Sequence, residues 1–548
     1  MPKGENVFYV FRLLRPSRKN SLWASPTTSI IEFLKAYSIQ AYIVLFAIVS
    51  IALGFLATST YGPAVSGDSI AYLSVAENLL SGRGMVDSFG GSLTHFPPLL
   101  PVILAGCSRL FQSDVFKSAW VLNLVLLGIN FVLSNIWLYK FFQNRLIYFF
   151  IGAILILFSE SNLRMHTAVL SEPLYLTFIL LFFIFGWEYI EKRSTSSLLI
   201  LLLIAILSPL LRFSGFSQVI AGVLLIIYVY RKTIPIGLLL SGAFGFIAIL
   251  PISFWLSMDN ALRYKIFIGD GNQVNLVENL LQSFRKIMYW FLPYRPFSSH
   301  GFLEPVILVG IIFILLLLIN KKKDWKIWLQ SFWHPAMFSM MLFTLIYFSS
   351  TTTNIISTHH RDLSSDRYYV VIMLPILVLI FNVFDFLVLP HLRFEHRYLY
   401  ATVFAIILVW SIYPVVKIKK YIDISRQGEP HYYNVYNLRE YRESQTLAQI
   451  HILLKQKPDM VIYSNLPRLV WLHTRLITSG LPEINQSWGD ADIIDKLSGW
   501  PGEWPGYIVF LNNDPYKMYY SPQILEKIAT MELLYDMEDG KIYYVSAK

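Results

Sequence analysis

Apolar residues in this chain of 548 residues are grouped into blocks long enough to cross a lipid bilayer. A spanning helix needs roughly 20 mainly apolar residues, because backbone polar groups inside the hydrocarbon core must be paired within the segment. The composition is typical of a membrane protein, since 55% of the residues are hydrophobic and only 15% are charged. The blocks predict about eleven transmembrane helices, near residues 37–58, 117–138, 146–161, 172–190, 197–211, 216–230, 235–257, 304–320, 335–350, 368–388 and 398–416.

The cations of the chain lie mainly in short loops beside the apolar blocks, where they act as topology signals. We therefore expect no nucleic-acid partner, despite a net charge of +10, and predict a multi-pass protein of the cell membrane with a cytoplasmic N-terminus over 1–36. To place the cationic loops on the cytoplasmic side, the short apolar segment 97–111, which holds three prolines, must lie at the membrane surface or re-enter the membrane instead of spanning it. One group of cations does not fit this placement, because the predicted topology puts Lys417, Lys419 and Lys420 on the outer side.

Two parts of the chain differ in composition. The first, predicted over 37–420, is an all-α polytopic membrane domain with a long extracytoplasmic loop over 59–116. In the second part the composition is polar, and a helical stretch over 440–456 precedes three strand-like runs. These runs are Met460–Tyr463, Tyr507–Leu511 and Ile542–Val545. Alternating helix and strand patterns predict a small C-terminal α/β domain over 421–548, on the extracytoplasmic face.

The first long loop contains the pattern of an amphipathic helix. Within residues 66–84, apolar side chains recur on one helical face and polar side chains on the other, and Gly82 and Gly84 end the pattern. Asp68 stands at the start of this helix, where two interpretations are open. Its carboxylate could cap the helix N-terminus, or it could act at the bilayer surface as a general base that accepts a proton from an acceptor group.

A resemblance to a known family rests on Gly67-Asp68-Ser69 with Tyr72, and on the later run Thr94-His95-Phe96-Pro97-Pro98-Leu99-Leu100-Pro101. These segments are similar to the first extracytoplasmic loop of the C-type superfamily of glycosyltransferases (GT-C), in particular the protein-O-mannosyltransferase and lipid A aminoarabinose transferase group. The resemblance covers 37–390 in layout and implies many transmembrane helices, a polyprenyl-phosphate sugar donor and a catalytic role for Asp68. Several relatives carry an acidic pair where this chain has Asp68-Ser69.

Polar residues gather again between the third and fourth predicted helices, at Arg164, His166 and Glu172. The resemblance implies that an acidic residue here lies beside the catalytic aspartate, so Glu172 would position the acceptor or bind a divalent cation. His95 and His166 are candidates for the same task. Purely structural roles stay open for both residue types. A helix dipole favours a carboxylate such as that of Glu172 at its N-terminus, and His95 could fix the Pro-Pro turn by hydrogen bonding. The spacing defines no ligand set, so the metal is unknown.

Cations at the edges of apolar blocks suggest a functional role, because a charge at mid-span costs about 2.5–3.5 kcal/mol on insertion scales. A lipid-linked donor has a phosphate that becomes the leaving group and requires positive partners. Arg367 is the first candidate, Arg212 the second, and Arg164 a further one. The resemblance also implies an arginine–tyrosine pair at Arg367-Tyr368. The competing explanation is that these side chains only reach toward the membrane interface.

The leading hypothesis is an inverting glycosyltransferase. It would move a sugar from a polyprenyl-phosphate-linked donor to a glycan, lipid or protein acceptor on the extracytoplasmic face, with Asp68 as general base and Arg367 at the phosphate. Two other classes remain open. One is a polytopic transporter or lipid flippase, and the other is a polysaccharide polymerase or ligase that uses diphosphate-linked donors. No cofactor is predicted beyond a candidate divalent cation.

Overall fold

The protein is seen in a computed structural model that describes residues 26–93, 96–142, 145–258, 276–291, 328, 330–352, 365–388 and 396–548, the last range without 432, 458, 459, 486, 488 and 503. The helices of the membrane part are α1 Pro26–Thr58, α2 Gly67–Leu80, α3 Leu99–Phe111, α4 Val115–Phe141, α5 Leu146–Leu157, α6 Glu160–His166, α7 Glu172–Lys192, α8 Thr195–Leu211, α9 Phe216–Val229, α10 Ile234–Ser257, α11 Leu276–Met288, α12 Pro335–Thr352, α13 Arg367–Val370, α14 Met373–Val383 and α15 His396–Gln427.

The predicted spans fall on these helices, except the block 304–320, which lies outside the described residues. Within the described ranges, four helices are long and apolar enough to cross a membrane: Ser38–Thr58 of α1, α4, α7 and α10. The bent pair α5–α6 is a fifth candidate span. The chain is therefore a multi-pass membrane protein, whereas the larger count of about eleven spans stays a prediction.

The helices differ in how much protein surrounds them. Helix α7 packs against α4, α8 and α12, and the fully buried side chains of the bundle include Phe182 and Phe183 on α7. By contrast, α10 keeps large apolar side chains such as Leu239 and Phe254 exposed. A helix that is apolar on all sides can leave one face bare only in a lipid environment. Helix α7 is therefore central, and α10 lies at the lipid-facing edge.

The predicted span 146–161 contains a bend, because the chain turns by 55° between α5 and α6. Ser159 lies in the break and its hydroxyl accepts a hydrogen bond from Asn162 N at 3.2 Å, so it caps the new helix α6. A side-chain cap satisfies a backbone donor that a helix start leaves free. After the bend, α6 ends at His166, and the carbonyl of the next residue, Thr167, accepts a hydrogen bond from Ala64 N at the start of the first loop.

The C-terminal domain contains a five-stranded sheet in the order β2-β1-β3-β5-β4, with β1 parallel to β2 and β3, and β5 antiparallel to β3 and β4. Its strands are β1 Val461–Ser464, β2 Thr478–Gly480, β3 Gly506–Leu511, β4 Ala529–Asp536 and β5 Gly540–Ala547, and its helices are α16 Arg439–Arg442, α17 Gln445–Gln456, α18 Pro467–Thr474, α19 Asp490–Lys496 and α20 Pro522–Leu525. The three predicted strands and the α/β class are confirmed. The predicted helical stretch 440–456 is interrupted by Ser444, which caps α17.

Candidate active site at the start of the first loop

Helix α2 begins with a side-chain cap that Asp68 does not provide. Ser66 is the cap: its hydroxyl accepts from Ser69 N at 3.4 Å, and Ser66 N donates to the Ser69 hydroxyl at 2.9 Å. Asp68 lies one position inside the helix, in the first turn. The interpretation of Asp68 as the capping residue is therefore wrong, and its carboxylate is available for contacts outside the helix. The helix ends as predicted, because Gly82 and Gly84 adopt positive φ angles after Leu80.

The start of the first loop is tied to the loop that precedes α7. Ala64 N donates to Thr167 O at 2.9 Å, and Val169 N donates back to Ala64 O at 3.0 Å. The Ser69 hydroxyl adds a third bond, to Val169 O at 2.8 Å. Because buried backbone groups are rarely left unpaired, this short ladder fixes the register of the two segments. It brings Asp68 beside the first turn of α7.

Arg367 contacts Asp68 across 299 positions of sequence. Its Nη1 donates to Asp68 Oδ2 at 2.8 Å, and the side chains are 17% and 31% exposed. The same guanidinium stays near the Tyr368 ring, with Cζ 5.0 Å from the ring centre and Nη2 donating to the hydroxyl at 3.1 Å. The backbone there is fixed as well, since the Tyr347 hydroxyl donates to Tyr368 O at 2.8 Å. The residues predicted as base and as first phosphate ligand thus meet.

Glu172 lies behind this pair and contacts two arginines. Its Oε2 is 2.8 Å from Arg212 Nη1, and its Oε1 is 3.4 Å from Arg367 Nε. The Glu172 side chain is only 2% exposed. A buried carboxylate is costly unless cations compensate its charge. Here Arg212 and Arg367 compensate the charge of Glu172, and Glu172 is a counter-charge for both arginines. Asp68, Glu172, Arg212 and Arg367 therefore form one alternating chain of charges, which we call the ion-pair cluster.

Two hydroxyl groups extend the ion-pair cluster toward α2. Arg212 Nη1 donates to the Ser171 hydroxyl at 2.7 Å, and that hydroxyl lies 3.3 Å from the Tyr72 hydroxyl. Burial raises the pKa of Tyr72 well above its usual value, and the negative charge of Asp68 raises it further. The Tyr72 phenol therefore stays protonated at neutral pH. Sequence analysis missed Ser171, although it directly precedes Glu172 in the Ser-Glu-Pro start of α7.

Arg164 lies in a neighbouring cluster and not in the ion-pair cluster. Its guanidinium contacts the Glu160 carboxylate, and its Cζ lies 5.6 Å from the centre of the Tyr421 ring. Lys417 contacts the same carboxylate, with Nζ 2.9 Å from Glu160 Oε2. Lys417, whose charge disagrees with the predicted topology, therefore has a partner inside the protein. Arg164 as a phosphate ligand stays a prediction, since it is not brought to Asp68.

His166 is buried away from the ion-pair cluster, with both ring nitrogens engaged. Nδ1 lies 2.8 Å from Asn162 O, and Nε2 lies 2.9 Å from Asn130 Nδ2. Because the carbonyl can only accept and the amide nitrogen can only donate, Nδ1 carries the proton. Asn130 Nδ2 also donates to Pro173 O at 2.8 Å, so His166 supports the start of α7 indirectly. His95, the other predicted histidine, lies outside the described residues.

The candidate divalent cation has no visible ligand set in the described part of the chain. There, no group of three or more His, Cys, Asp or Glu side chains is arranged to hold a metal ion. Glu172, the predicted ligand, faces two arginines, which occupy the space that a cation would need. Cation positioning by Glu172, His166 and His95 therefore stays a prediction.

The C-terminal domain holds the first loop from the other side. Val65 N donates to Asn434 Oδ1 at 3.1 Å, and Asn437 Nδ2 donates to Tyr61 O and Pro63 O at 2.7 and 2.9 Å. The contacts with Val65 N and Pro63 O are buried and that with Tyr61 O is partly buried, so these amide hydrogen bonds are costly to lose. The domain therefore fixes the segment that leads into Asp68.

Comparisons with known proteins agree in fold. No protein-family model matches the sequence, and no curated protein sequence matches it either. The crystal structure of ArnT from Cupriavidus metallidurans in the apo state matches with a TM-score of 0.57 and 13% identity, covering 92% of this chain and 98% of that chain. The structure of the same protein bound to undecaprenyl phosphate matches with a TM-score of 0.56, 13% identity and the same coverage. The chain therefore shares the fold of ArnT over nearly its whole length, as the resemblance to the C-type superfamily predicts.

Proposed function

We propose that the chain is a membrane glycosyltransferase that moves a sugar from a polyprenyl-phosphate-linked donor to an acceptor on the extracytoplasmic face. The observation that carries the proposal is the contact between Arg367 and Asp68, with Glu172 and Arg212 behind it. A partly exposed carboxylate and a guanidinium fork lie together at the start of the first loop. Such a site has both the base and the cation that glycosyl transfer from a phosphate requires.

In the proposed reaction, Asp68 accepts the proton of the acceptor hydroxyl or amine as that atom attacks the anomeric carbon. The bond between the anomeric carbon and the phosphate oxygen breaks, and its electron pair leaves on the polyprenyl phosphate. Arg367 stabilises the charge that develops on this phosphate, with Arg212 and the Tyr368 hydroxyl as further donors. Attack from the face opposite the leaving group inverts the anomeric configuration. The proton stays on Asp68 until solvent removes it.

Two features support a lipid-linked donor. The ArnT structure of the same fold was solved with undecaprenyl phosphate bound, and the ion-pair cluster here lies at helix ends, where a phosphate at the bilayer surface would meet it. Helix α2 would then lie along the surface with its buried face toward the bundle. The cytoplasmic N-terminus and the extracytoplasmic C-terminal domain belong to the same proposal, because the donor and Asp68 must share one side of the membrane.

The test is transfer by the purified full chain in nanodiscs, with radiolabelled undecaprenyl-phosphate sugars as donors and envelope extract as acceptor. Asp68→Asn should lower transfer by at least about 100-fold, the lower range for general base catalysis, without changing the melting temperature. Glu77→Gln, on the same helix, is the matched control and should retain activity. Full activity of Asp68→Asn would overturn the mechanism. Transfer only from diphosphate-linked donors would instead identify a polymerase or ligase, and lipid movement without a glycosidic product would identify a flippase.

A further inference from the structure

Each nitrogen of the Arg367 guanidinium lies near one polar group. Nη1 donates to Asp68 Oδ2 at 2.8 Å, Nη2 donates to the Tyr368 hydroxyl at 3.1 Å, and Nε lies 3.4 Å from Glu172 Oε1. A phosphate that binds this guanidinium competes most directly with the two carboxylates, because they are anionic partners of the same cation. The structure indicates which of the two carboxylates can be displaced.

The two carboxylates differ in their exposure to solvent. The Asp68 side chain is 31% exposed, whereas that of Glu172 is 2% exposed and is also paired with Arg212. Removing the guanidinium from Glu172 would leave a buried charge with fewer partners, which is strongly unfavourable. Asp68 can lose its partner at lower cost, because water can solvate the released carboxylate. Asp68 is therefore the exchangeable partner, and Glu172 is the fixed one.

The contact with Arg367 also restrains Asp68 as a base. Its Oδ2 accepts a hydrogen bond from Nη1, which holds the carboxylate against Arg367. A phosphate oxygen could replace Asp68 Oδ2 as the acceptor on Nη1, since guanidinium groups bind phosphate and carboxylate with the same forked geometry. The carboxylate that leaves would then be free to accept the proton of the incoming nucleophile.

We propose that the donor phosphate replaces Asp68 on Arg367 Nη1, so that donor binding releases the base, while Glu172 acts as a positioning residue that keeps Arg367 and Arg212 in place. This inference rests on the proposed function and adds an order of events to it. Before the donor binds, Asp68 is held in an ion pair. After it binds, the phosphate is held by Arg367 and Asp68 faces the acceptor.

The exchange has a consequence that a simple binding site would not have. Asp68 and the phosphate compete for one guanidinium, so removing the Asp68 carboxylate should tighten phosphate binding while it abolishes transfer. The coupling is reciprocal, because two ligands of one group change each other's affinity by the same factor. Couplings of this kind are typically about 5- to 150-fold.

The experiment measures binding of undecaprenyl phosphate to the full chain in nanodiscs by native mass spectrometry. Asp68→Asn should bind about tenfold tighter than the original chain, and Asp68→Ala should show the same direction if the amide variant does not fold. Glu77→Gln removes an equal charge from the same helix away from Arg367 and should leave the affinity unchanged. Arg367→Gln should lose most of the binding.

Equal or weaker binding by both Asp68 variants would overturn the exchange, and so would an equal gain in Glu77→Gln, because the effect would then reflect net charge. Failure of the proposed function is a separate result. If the original chain transfers no sugar yet Asp68→Asn binds the phosphate more tightly, the competition at Arg367 stands and the assigned reaction falls. If transfer depends on Asp68 but affinity does not, the reaction stands and the exchange falls.

Discussion

Glu172 Oε2 lies 2.8 Å from Arg212 Nη1, although Glu172 opens α7 and Arg212 follows the last residue of α8. The two helices are joined by the cytoplasmic-side turn predicted near 193, so this pair closes them at the opposite end. Its carboxylate is buried and also serves Arg367. The pair therefore links the packing of the bundle to the geometry of the proposed phosphate site.

Glu172→Gln should strongly destabilise the chain. The substitution leaves Arg212 with no carboxylate partner among its described contacts, and breaking a buried ion pair on one side costs about 3–5 kcal/mol. We expect a clear drop in melting temperature in detergent, together with weaker donor binding because Arg367 loses its fixed partner. Glu188→Gln is the control on the same helix, since Glu188 is buried but its partner Lys192 is largely exposed and can be solvated. Equal losses in both variants would contradict a special role for Glu172.

The local features of this site could be predicted from the sequence. Ser171-Glu172-Pro173 begins α7 as expected, and Arg212 and Arg367 lie at helix ends as expected, because apolar block length and proline position act within a few residues. The contact between Asp68 and Arg367 is not predicted by the sequence. The two residues are 299 positions apart, and the hydrophobic periodicity of the sequence does not indicate which outer loops contact each other.

Other features have a weak local signal or none. The bend after Leu157 falls where the apolar run gives way to Ser159-Glu160-Ser161-Asn162, but this change in composition does not show that the chain turns there. Strand β2 spans three residues, too few for an alternating pattern, and is stabilised by its pairing with β1. Lys417 resembles a topology signal in sequence, yet it pairs with Glu160, which lies in a distant helix. Tertiary contacts decide the cases of β2 and Lys417.

Asn437→Ala should loosen the segment that leads into Asp68. The Asn437 amide donates to Tyr61 O and Pro63 O, and both carbonyls would lose a partner in a largely buried place. A lost hydrogen bond of this kind costs about 1–3 kcal/mol, so both the melting temperature and the transfer rate should fall. Asn512→Ala is the matched control, because that side chain bonds Glu538 O at an exposed site. An unchanged melting temperature in Asn437→Ala would show that the C-terminal domain does not hold this segment.

His473 should make the stability of the chain depend on pH. Burial, together with the positive charges of Arg442 and Arg475, lowers the pKa of His473 to about 4. The unfolded state therefore binds the proton first, near its usual pKa of about 6.5. Stability is full above that pH and is lost as the pH falls from about 6.5 toward 4.

Between pH 7 and pH 5 the expected loss from His473 is at most about 2 kcal/mol, from roughly 1.4 kcal/mol per pH unit. Melting temperatures of the detergent-solubilised chain measure it. His473→Gln should reduce the slope with pH whatever its effect on absolute stability, whereas His451→Gln, at an exposed position, should keep the original slope. A slope that His473→Gln does not change would assign the acid sensitivity to other groups.

Labelling of single cysteines tests the side of the membrane on which the reaction is proposed. Ser81 is exposed directly after α2, and Cys107 is the chain's one cysteine, so Cys107→Ser provides a clean background. In intact cells, a membrane-impermeant maleimide should label Ser81→Cys, because the first loop is predicted to be extracytoplasmic. Ser196→Cys, exposed in the first turn of α8 on the predicted cytoplasmic side, should be labelled only after permeabilisation.

The opposite labelling result would change the proposed reaction as well as the predicted topology. Because Asp68 lies in the first turn of α2 and Ser81 directly follows this helix of 14 residues, a cytoplasmic Ser81 would put Asp68 on the cytoplasmic side as well. The C-terminal domain would follow, since Asn434 and Asn437 bind the residues that lead into α2. A base on that side could still meet a lipid-linked donor, but it would act before the donor crosses the membrane, and the proposed acceptor face would be wrong.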